Sequence, residues 1–277
     1  TAPAIALACL ALSPDEVVLV SPSDHLVKDV AAYETTVRAA EQIARSGKMV
    51  TFGIKPSYAE TGYGYIEGSS DASLPGGGRT VKAFHEKPDR ARAETFIKNP
   101  AFCWNSGIFC FTAGVYLAEL KKSAPAIYDA SLRAYENAHR DSDEGTGFVS
   151  IHIAFDDMTA IPANSIDYAV MEKSANVAVI PSDFGWNDLG SFDSLYDVTD
   201  KDADWNTLCE GLVNVESKNN LIVKGKRTVA AIGIEDIIIV DTHDALLVAK
   251  RGSSQLVKLA VEKLQAGSEH EKMITEF

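Results

Sequence analysis

The sequence predicts an α/β fold followed by a small β module and a terminal helix. Apolar runs of strand length alternate with helical patterns through the first two thirds of the chain, the sequence form of a mainly parallel sheet. Four short apolar runs near the C-terminus begin eight residues apart, with polar or glycine-containing turns between them. The 277 residues are 46% hydrophobic and 23% charged, enough to bury a sizeable core and unlike a disordered chain.

The opening segment, Thr1 to Pro14, is apolar but lacks a basic flank and runs into Asp15 and Glu16, so it reads as a core helix and not a signal peptide. Val17 to Val20 is a buried strand, and Ser21 to His25 a polar turn. Val30, Tyr33, Val37, Ala40 and Ile43 recur at helical spacing, with Gly47 placed to close that helix. Met49 to Ile54 is the next strand, completing a βαβ unit. Gly76, Gly77 and Gly78 form a loop or hairpin turn between Tyr65-Ile66 and a strand at Thr80 to Phe84. Asp89 caps a helix through Ile97, and two further helices are predicted at Val115 to Lys122 and Ile127 to Ala138. Arg140 to Thr146 reads as a polar loop.

The regular runs start at Leu221, Val229, Ile237 and Ala245, and fit either hairpins or the coils of a β-helix. Ser253 or Ser254 then caps an amphipathic helix with Leu256, Leu259, Ala260 and Leu264 on one face, stopped by Gly267. That face packs at home or on a partner subunit, which leaves a homodimer open. The domain boundary is placed near Trp205 and Asn206, giving residues 1–204 and 205–277.

A net charge of −13 and a pI near 4.9 argue against a nucleic-acid groove or an anionic membrane surface. No run is long and apolar enough to span a bilayer. Cys9, Cys103, Cys110 and Cys209 lack metal-type spacing and read as reduced thiols of a cytoplasmic protein.

Several short segments carry residue types suited to chemistry. Asp24 follows a buried strand, where open α/β sheets collect ligands, and either reaches a metal or substrate or caps its turn. Gly62-Tyr63-Gly64 lets backbone approach a ligand, or makes a tight turn. Glu86 and Lys87 end a strand; as adjacent residues they point to opposite faces and do not pair, and Lys87 suits a phosphate or is simply solvated. Asn105 lies in a polar Trp104 to Gly107 turn ahead of the strand Ile108 to Phe111, suited to hydroxyl recognition or to turn formation alone. Asp167 sits in the first turn of a helix capped by Asn164 or Ser165, where the helix dipole alone accounts for it. Asp188, in the loop Gly185 to Ser191, is a second carboxylate for a divalent cation or a helix cap.

Seven segments in this order resemble the mannose-1-phosphate guanylyltransferase branch of the sugar nucleotidyltransferases: SPSDH at 21–25, FGI at 52–54, TGYGYI at 61–66, FHEKP at 84–88, WNSG at 104–107, SIDYAVMEKS at 165–174 and GWNDLGS at 185–191. The resemblance implies a Rossmann-like, GT-A type nucleotidyltransferase domain with a mixed sheet, and guanylyl transfer from GTP to mannose 1-phosphate. It implies that Asp24 and Asp188 bind Mg2+ and that Lys87 neutralises the sugar phosphate. Glu86, Asn105 and Asp167 would hold sugar hydroxyls, with Gly62, Tyr63 and Gly64 lining that pocket. In the family a strand and a glycine-rich, Arg-containing loop precede the segment matched by Thr1. Their absence from this sequence makes a fragment of the active enzyme, with little turnover of its own, the expectation. Thymidylyl or uridylyl transfer to glucose 1-phosphate, and a non-catalytic sugar-phosphate-binding subunit, are the alternative readings.

Overall fold

The computed structural model describes residues 1–142 and 148–266. The chain divides into two compact units, one of Thr1–Ser23 with Val27–Trp186, the other of Asp24–Leu26 with the residues from Asn187 onward. The sequence boundary near Trp205 thus lies inside the second unit.

Helix α1 (Ala2–Leu10) opens the first unit, with Ala2, Ile5, Ala6 and Cys9 buried. Strand β1 (Val17–Val20) follows, then the two-residue β2 (Leu26–Val27) and helix α2 (Val30–Arg45). Asp29 starts α2 by accepting the Ala32 amide at 2.9 Å, which satisfies one orphan donor of its first turn. Gly47, at φ 89°, ends it in the left-handed conformation that glycine adopts without a Cβ clash. Strand β3 (Met49–Ile54) is buried throughout. Strands β4 (Tyr65–Gly68) and β5 (Arg79–His85) form a hairpin through a short turn at Pro75–Gly77. Helix α3 (Arg90–Phe96) is capped by Asp89, which accepts the Arg92 amide at 2.9 Å.

Strand β6 (Phe102–Thr112) is the longest, and α4 (Ala113–Ser123) and α5 (Pro125–Glu136) follow it. The expected polar loop is instead partly a ribbon, since β7 (His139–Ser142) pairs with β8 (Val149–His152). His139 and His152 are cross-strand partners there; β7 is exposed and wholly polar, which is why its own pattern gives no strand signal. Residues 143–146 of that expected loop lie outside the described residues. Helix α6 (Phe155–Thr159), a helical turn at Asp167–Met171 and strand β9 (Val177–Ser182) complete the unit.

The main sheet has the order β1-β6-β3-β9-β5-β4, with β4 also pairing β6. Only β3–β9 is a parallel contact within it; β6 enters antiparallel between β1 and β3. The predicted βαβ unit therefore exists with its two strands separated, and the sheet is mixed, as the family resemblance implied, although strand alternation alone suggested a mainly parallel one. The strand that intervenes comes much later in the chain, which local alternation cannot reveal. One face packs Met49, Phe109, Phe111 and Val177 under α1, α4 and α5; the other packs Val50, Phe52, Ala178 and Ile180 against Ala40 and Ile43 of α2.

The second unit contains Asn187 of β10 (Trp186–Asn187, paired with β2), helix α7 (Phe192–Val198) and strands β11 (Val213–Val215) to β15 (Leu246–Lys250). β11 pairs in parallel with β13 (Ala230–Ile232), and β12 (Leu221–Val223) with β14 (Ile237–Asp241). Parallel pairing between strands this close in sequence is the arrangement of β-helix coils, closed by the antiparallel β14–β15 pair. Two fully buried asparagines run through the coils. Asn206 accepts from the Asn220 amide and side chain, and Asn220 accepts from Ile237 N at 2.8 Å while donating to Ile234 O. A 3-10 turn at Ser254–Leu256 leads into α8 (Val257–Ala266), whose Leu259 and Leu264 are exposed. Gly267, the expected stop, lies outside the described residues.

Candidate functional site

The WNSG segment is not a turn before a strand but part of β6. Thr51 pairs with Phe109 and Gly53 with Asn105, so two steps along β3 span four along β6. The surplus is a bulge, made possible by Gly107 at φ 71°. Bulges re-aim side chains, and this one sets Asn105 between two other motifs and β3. Its Nδ2 donates to Asp167 Oδ1 at 2.7 Å, its Oδ1 accepts from Thr51 Oγ1 at 3.0 Å, and its backbone amide donates to Gly64 O at 2.8 Å.

Asp167 opens the helical turn whose Ser165 hydroxyl accepts the Tyr168 amide at 3.3 Å, making Ser165 the capping side chain there. Burial raises the Asp167 pKa above its ordinary value, and the Asn105 hydrogen bond opposes that rise. Glu86 is also raised, first by burial and then by the charge of Asp167, with Lys87 opposing. Gly64 fits because a Cβ there would lie 2.6 Å from Glu86 Oε2.

Lys87 Nζ sits 3.8 Å from Glu86 Oε1, so the adjacent residues pair after all. The alternation rule applies only inside a strand; β5 ends at His85, and Lys87 turns out of extended geometry at φ 43°. The Lys87 side chain remains 64% exposed, open to an anion from solvent. Gly62 N donates to Glu60 Oε1 at 2.7 Å, and the Tyr63 ring meets Trp104 and Trp186 edge-on at 5.2 and 5.5 Å. Gly64, Glu86, Lys87, Asn105 and Asp167 thus form one connected group, with Gly62 and Tyr63 on the adjoining turn.

Asp24 and Asp188 belong to the second unit. The Asp24 carboxylate is 84% exposed, with His25 Nε2 at 4.0 Å. Asp188 Oδ1 accepts the Gly190 amide at 2.9 Å, and a Cβ on Gly190 would come within 2.6 Å of Asp188 Oδ2, so the loop wraps its own carboxylate. Asp188 is not the helix cap: Ser191 Oγ accepts the Ser194 amide at 3.0 Å and starts α7. Among the described residues no group of three or more His, Cys, Asp or Glu side chains could hold a metal ion. Two oxygen-only carboxylates nevertheless suit Mg2+, which keeps several waters and shares substrate phosphates instead of taking an all-protein cage.

Sequence reasoning missed Thr51, Glu60 and Glu172. Thr51 could have been found, as the one side-chain hydroxyl in a strand buried along its whole length. Glu172, which helps raise Asp167's neighbour Glu86, carried no such signal.

Residues 1–204 match the Nucleotidyl transferase family, and residues 210–264 the MannoseP isomerase/GMP-like beta-helix domain. The chain is 44% identical to the alginate biosynthesis protein AlgA of Pseudomonas aeruginosa over 96% of its length and 55% of that protein's. It is 42% identical to mannose-1-phosphate guanylyltransferase 2 of Escherichia coli O157:H7, over 98% of this chain and 57% of that one. A crystal structure described as mannose-1-phosphate geranyltransferase from Thermus thermophilus superposes with a TM-score of 0.79 at 28% identity, covering 96% of this chain and 75% of the other. The chain spans little more than half the length of the curated relatives it matches.

Proposed function

The chain belongs to the nucleotidyl transferase family, and from that premise we propose that it serves transfer of a guanylyl group from GTP to mannose 1-phosphate. An oxygen of the sugar phosphate attacks the α-phosphorus of GTP, the bond from that phosphorus to the bridging oxygen breaks, and pyrophosphate leaves with the electron pair. GDP-mannose is the other product. The observation that carries the reading is the connected group Asn105, Asp167, Glu86 and Lys87.

Glu86 and Asp167 offer acceptors to sugar hydroxyls, while Asn105, whose Oδ1 is engaged by Thr51 and Gly107, offers its second Nδ2 hydrogen as a donor in fixed orientation. Lys87 supplies a compact cation for the phosphate. Gly64 keeps the backbone close enough for a ring to lie against it. No general base is needed, because a phosphate dianion is already a nucleophile; charge neutralisation and alignment dominate such chemistry. Asp24 and Asp188 would hold Mg2+, which when bound draws negative charge from the phosphates. The reading places the protein in the cytoplasm; no helix among the described residues is long and apolar enough to cross a membrane.

Calorimetry of mannose 1-phosphate against the chain and its Asn105→Ala variant tests the assignment. Binding by the parent with at least about tenfold loss in the variant supports it. Equal binding by the two removes this group from the sugar site.

A further inference from the structure

The strand pairings β6-β3-β9-β5-β4 and back to β6 close a ring, and a cavity of about 420 Å³ opens at one side of it. Its lining comes from four of those strands, with Gly53, Arg79, Cys103 and Val179 among them, and from the segment after α3. The cavity has none of the sugar-site residues named above in its wall.

Three cations line it, Arg79, Lys55 and Lys98, against one carboxylate, Asp183. None of the three makes a side-chain ion pair or hydrogen bond with any described residue, and Arg79 Nε is buried without a partner. In a chain of net charge −13, three unpaired cations at one cavity are a strong local reversal of sign. Buried donors without partners are uncommon and call for a ligand or solvent to satisfy them. The guanidinium fork matches the paired oxygens of a phosphate or carboxylate. Three cations less one carboxylate leave a local charge of +2, which favours a dianion over a monocarboxylate. Val179, Phe102 and Ile97 supply apolar wall for the rest of such a ligand, with Asn99 and Ser182 as uncharged polar groups beside them.

We infer that this cavity is a second ligand site, taking a small phosphate monoester with an apolar body, its phosphate on Arg79 and its body against Val179 and Phe102. Lys55 and Lys98, both at the exposed rim, draw the dianion in and flank it. Occupancy fixes the positions of β3, β5, β6 and β9 relative to one another, because each contributes to the wall.

Isothermal titration with phenyl phosphate tests this, with inorganic phosphate and phenol as probes of the two halves. Phenyl phosphate is expected to bind more tightly than either half, and Arg79→Gln and Lys98→Glu each to weaken it by about tenfold or more. Lys87→Ala, at the proposed sugar-phosphate position, is expected to leave it unchanged. Lys98 is exposed, so its variant keeps the test open if Arg79→Gln fails to fold by circular dichroism. Absence of binding at millimolar phenyl phosphate overturns the inference. So does affinity unaltered by the charge reversal at Lys98 and by any folded Arg79 variant, or lost in Lys87→Ala.

Discussion

Asn105 Nδ2 donates to Asp167 Oδ1 across 2.7 Å, joining two residues that lie 62 positions apart. The bond ties the bulge of the longest strand to the start of a helical turn, and it steadies a carboxylate that burial alone would push towards protonation. Removing it with Asn105→Ala should cost about 1.5 to 3 kcal/mol of stability, the usual range for a hydrogen bond to a charged group. Urea denaturation at neutral pH measures this; a loss below about 0.5 kcal/mol would show that water replaces Asn105 freely.

Glu86 gives a pH dependence of defined sign. Its folded pKa lies above the ordinary 4.5 because of burial and the neighbouring Asp167. A raised folded value means the native state holds the proton more tightly, so the contribution to stability is fully present below 4.5 and is lost as pH rises through the folded value. The difference in stability between the parent and Glu86→Gln should therefore change across that window, with the parent losing ground as pH rises. A pH-independent difference between the two denaturation midpoints would contradict the assigned shift.

Lys87 carries both a charge and an unfavourable backbone angle, and two substitutions separate them. Lys87→Ala and Lys87→Gly should each weaken mannose 1-phosphate binding by about tenfold or more through loss of the ammonium. Only the glycine variant relieves the positive φ of 43°, so it should be the more stable of the two by about 1 kcal/mol. Thermal melts and calorimetry on the pair read the two effects independently; equal melting temperatures would mean that the backbone relaxes around alanine.

Gly64, just ahead of β4, and Gly53, inside β3, should respond to an added methyl to different degrees. At Gly64 the nearest atom is the mobile end of Glu86, so Gly64→Ala should stay within about 1 kcal/mol of the parent while displacing that carboxylate and weakening sugar-phosphate binding. At Gly53 the methyl meets Val179 Cγ2 at 2.5 Å and Cys103 Cβ at 2.8 Å, inside the sheet. Gly53→Ala should cost about 1 to 3 kcal/mol, as overpacked cores do. Reversal of that order in urea titrations would show the wall at Cys103 to be softer than the glutamate.

Asp188→Asn should act through charge alone, since an asparagine Oδ1 can still accept the Gly190 amide that shapes the loop. In an enzyme that also carries the family's glycine-rich loop, turnover should fall and the Mg2+ needed for half-maximal rate should rise, with stability changed by less than about 1 kcal/mol. A magnesium titration that overlays the parent's would leave Asp188 a purely structural loop residue.

Much of the first unit could be read from the sequence, because its strands at 17–20 and 49–54 are mostly apolar runs of strand length and two of its helices carry a side-chain cap, Asp29 and Asp89. What could not be read depends on partners far away in the chain. The Asn105 segment looks like a turn from its own residues, and only pairing with β3 reveals it as a bulge within β6. The Glu86–Lys87 contact followed from one residue's left-handed backbone, for which lysine gives no sequence cue. Likewise β7, His139–Ser142, has no apolar residue, so the alternation of Val149 and Ile151 in β8 had no visible partner strand. The β module was legible as regularly spaced strands, while the choice of coils over hairpins rested on which strands meet.

The asparagine chain through that module bears on how it comes apart. Asn206 is satisfied by Asn220, and Asn220 in turn by Ile234 and Ile237, so each buried amide depends on the next winding of the backbone. Peeling away the outer winding would strand Asn220 in an apolar interior, a penalty large enough to discourage fraying from that end. The stack therefore behaves less like separable repeats than like a zipper whose teeth lock in sequence. Its amides should exchange with solvent through one shared opening event, and not in graded steps from tip to base.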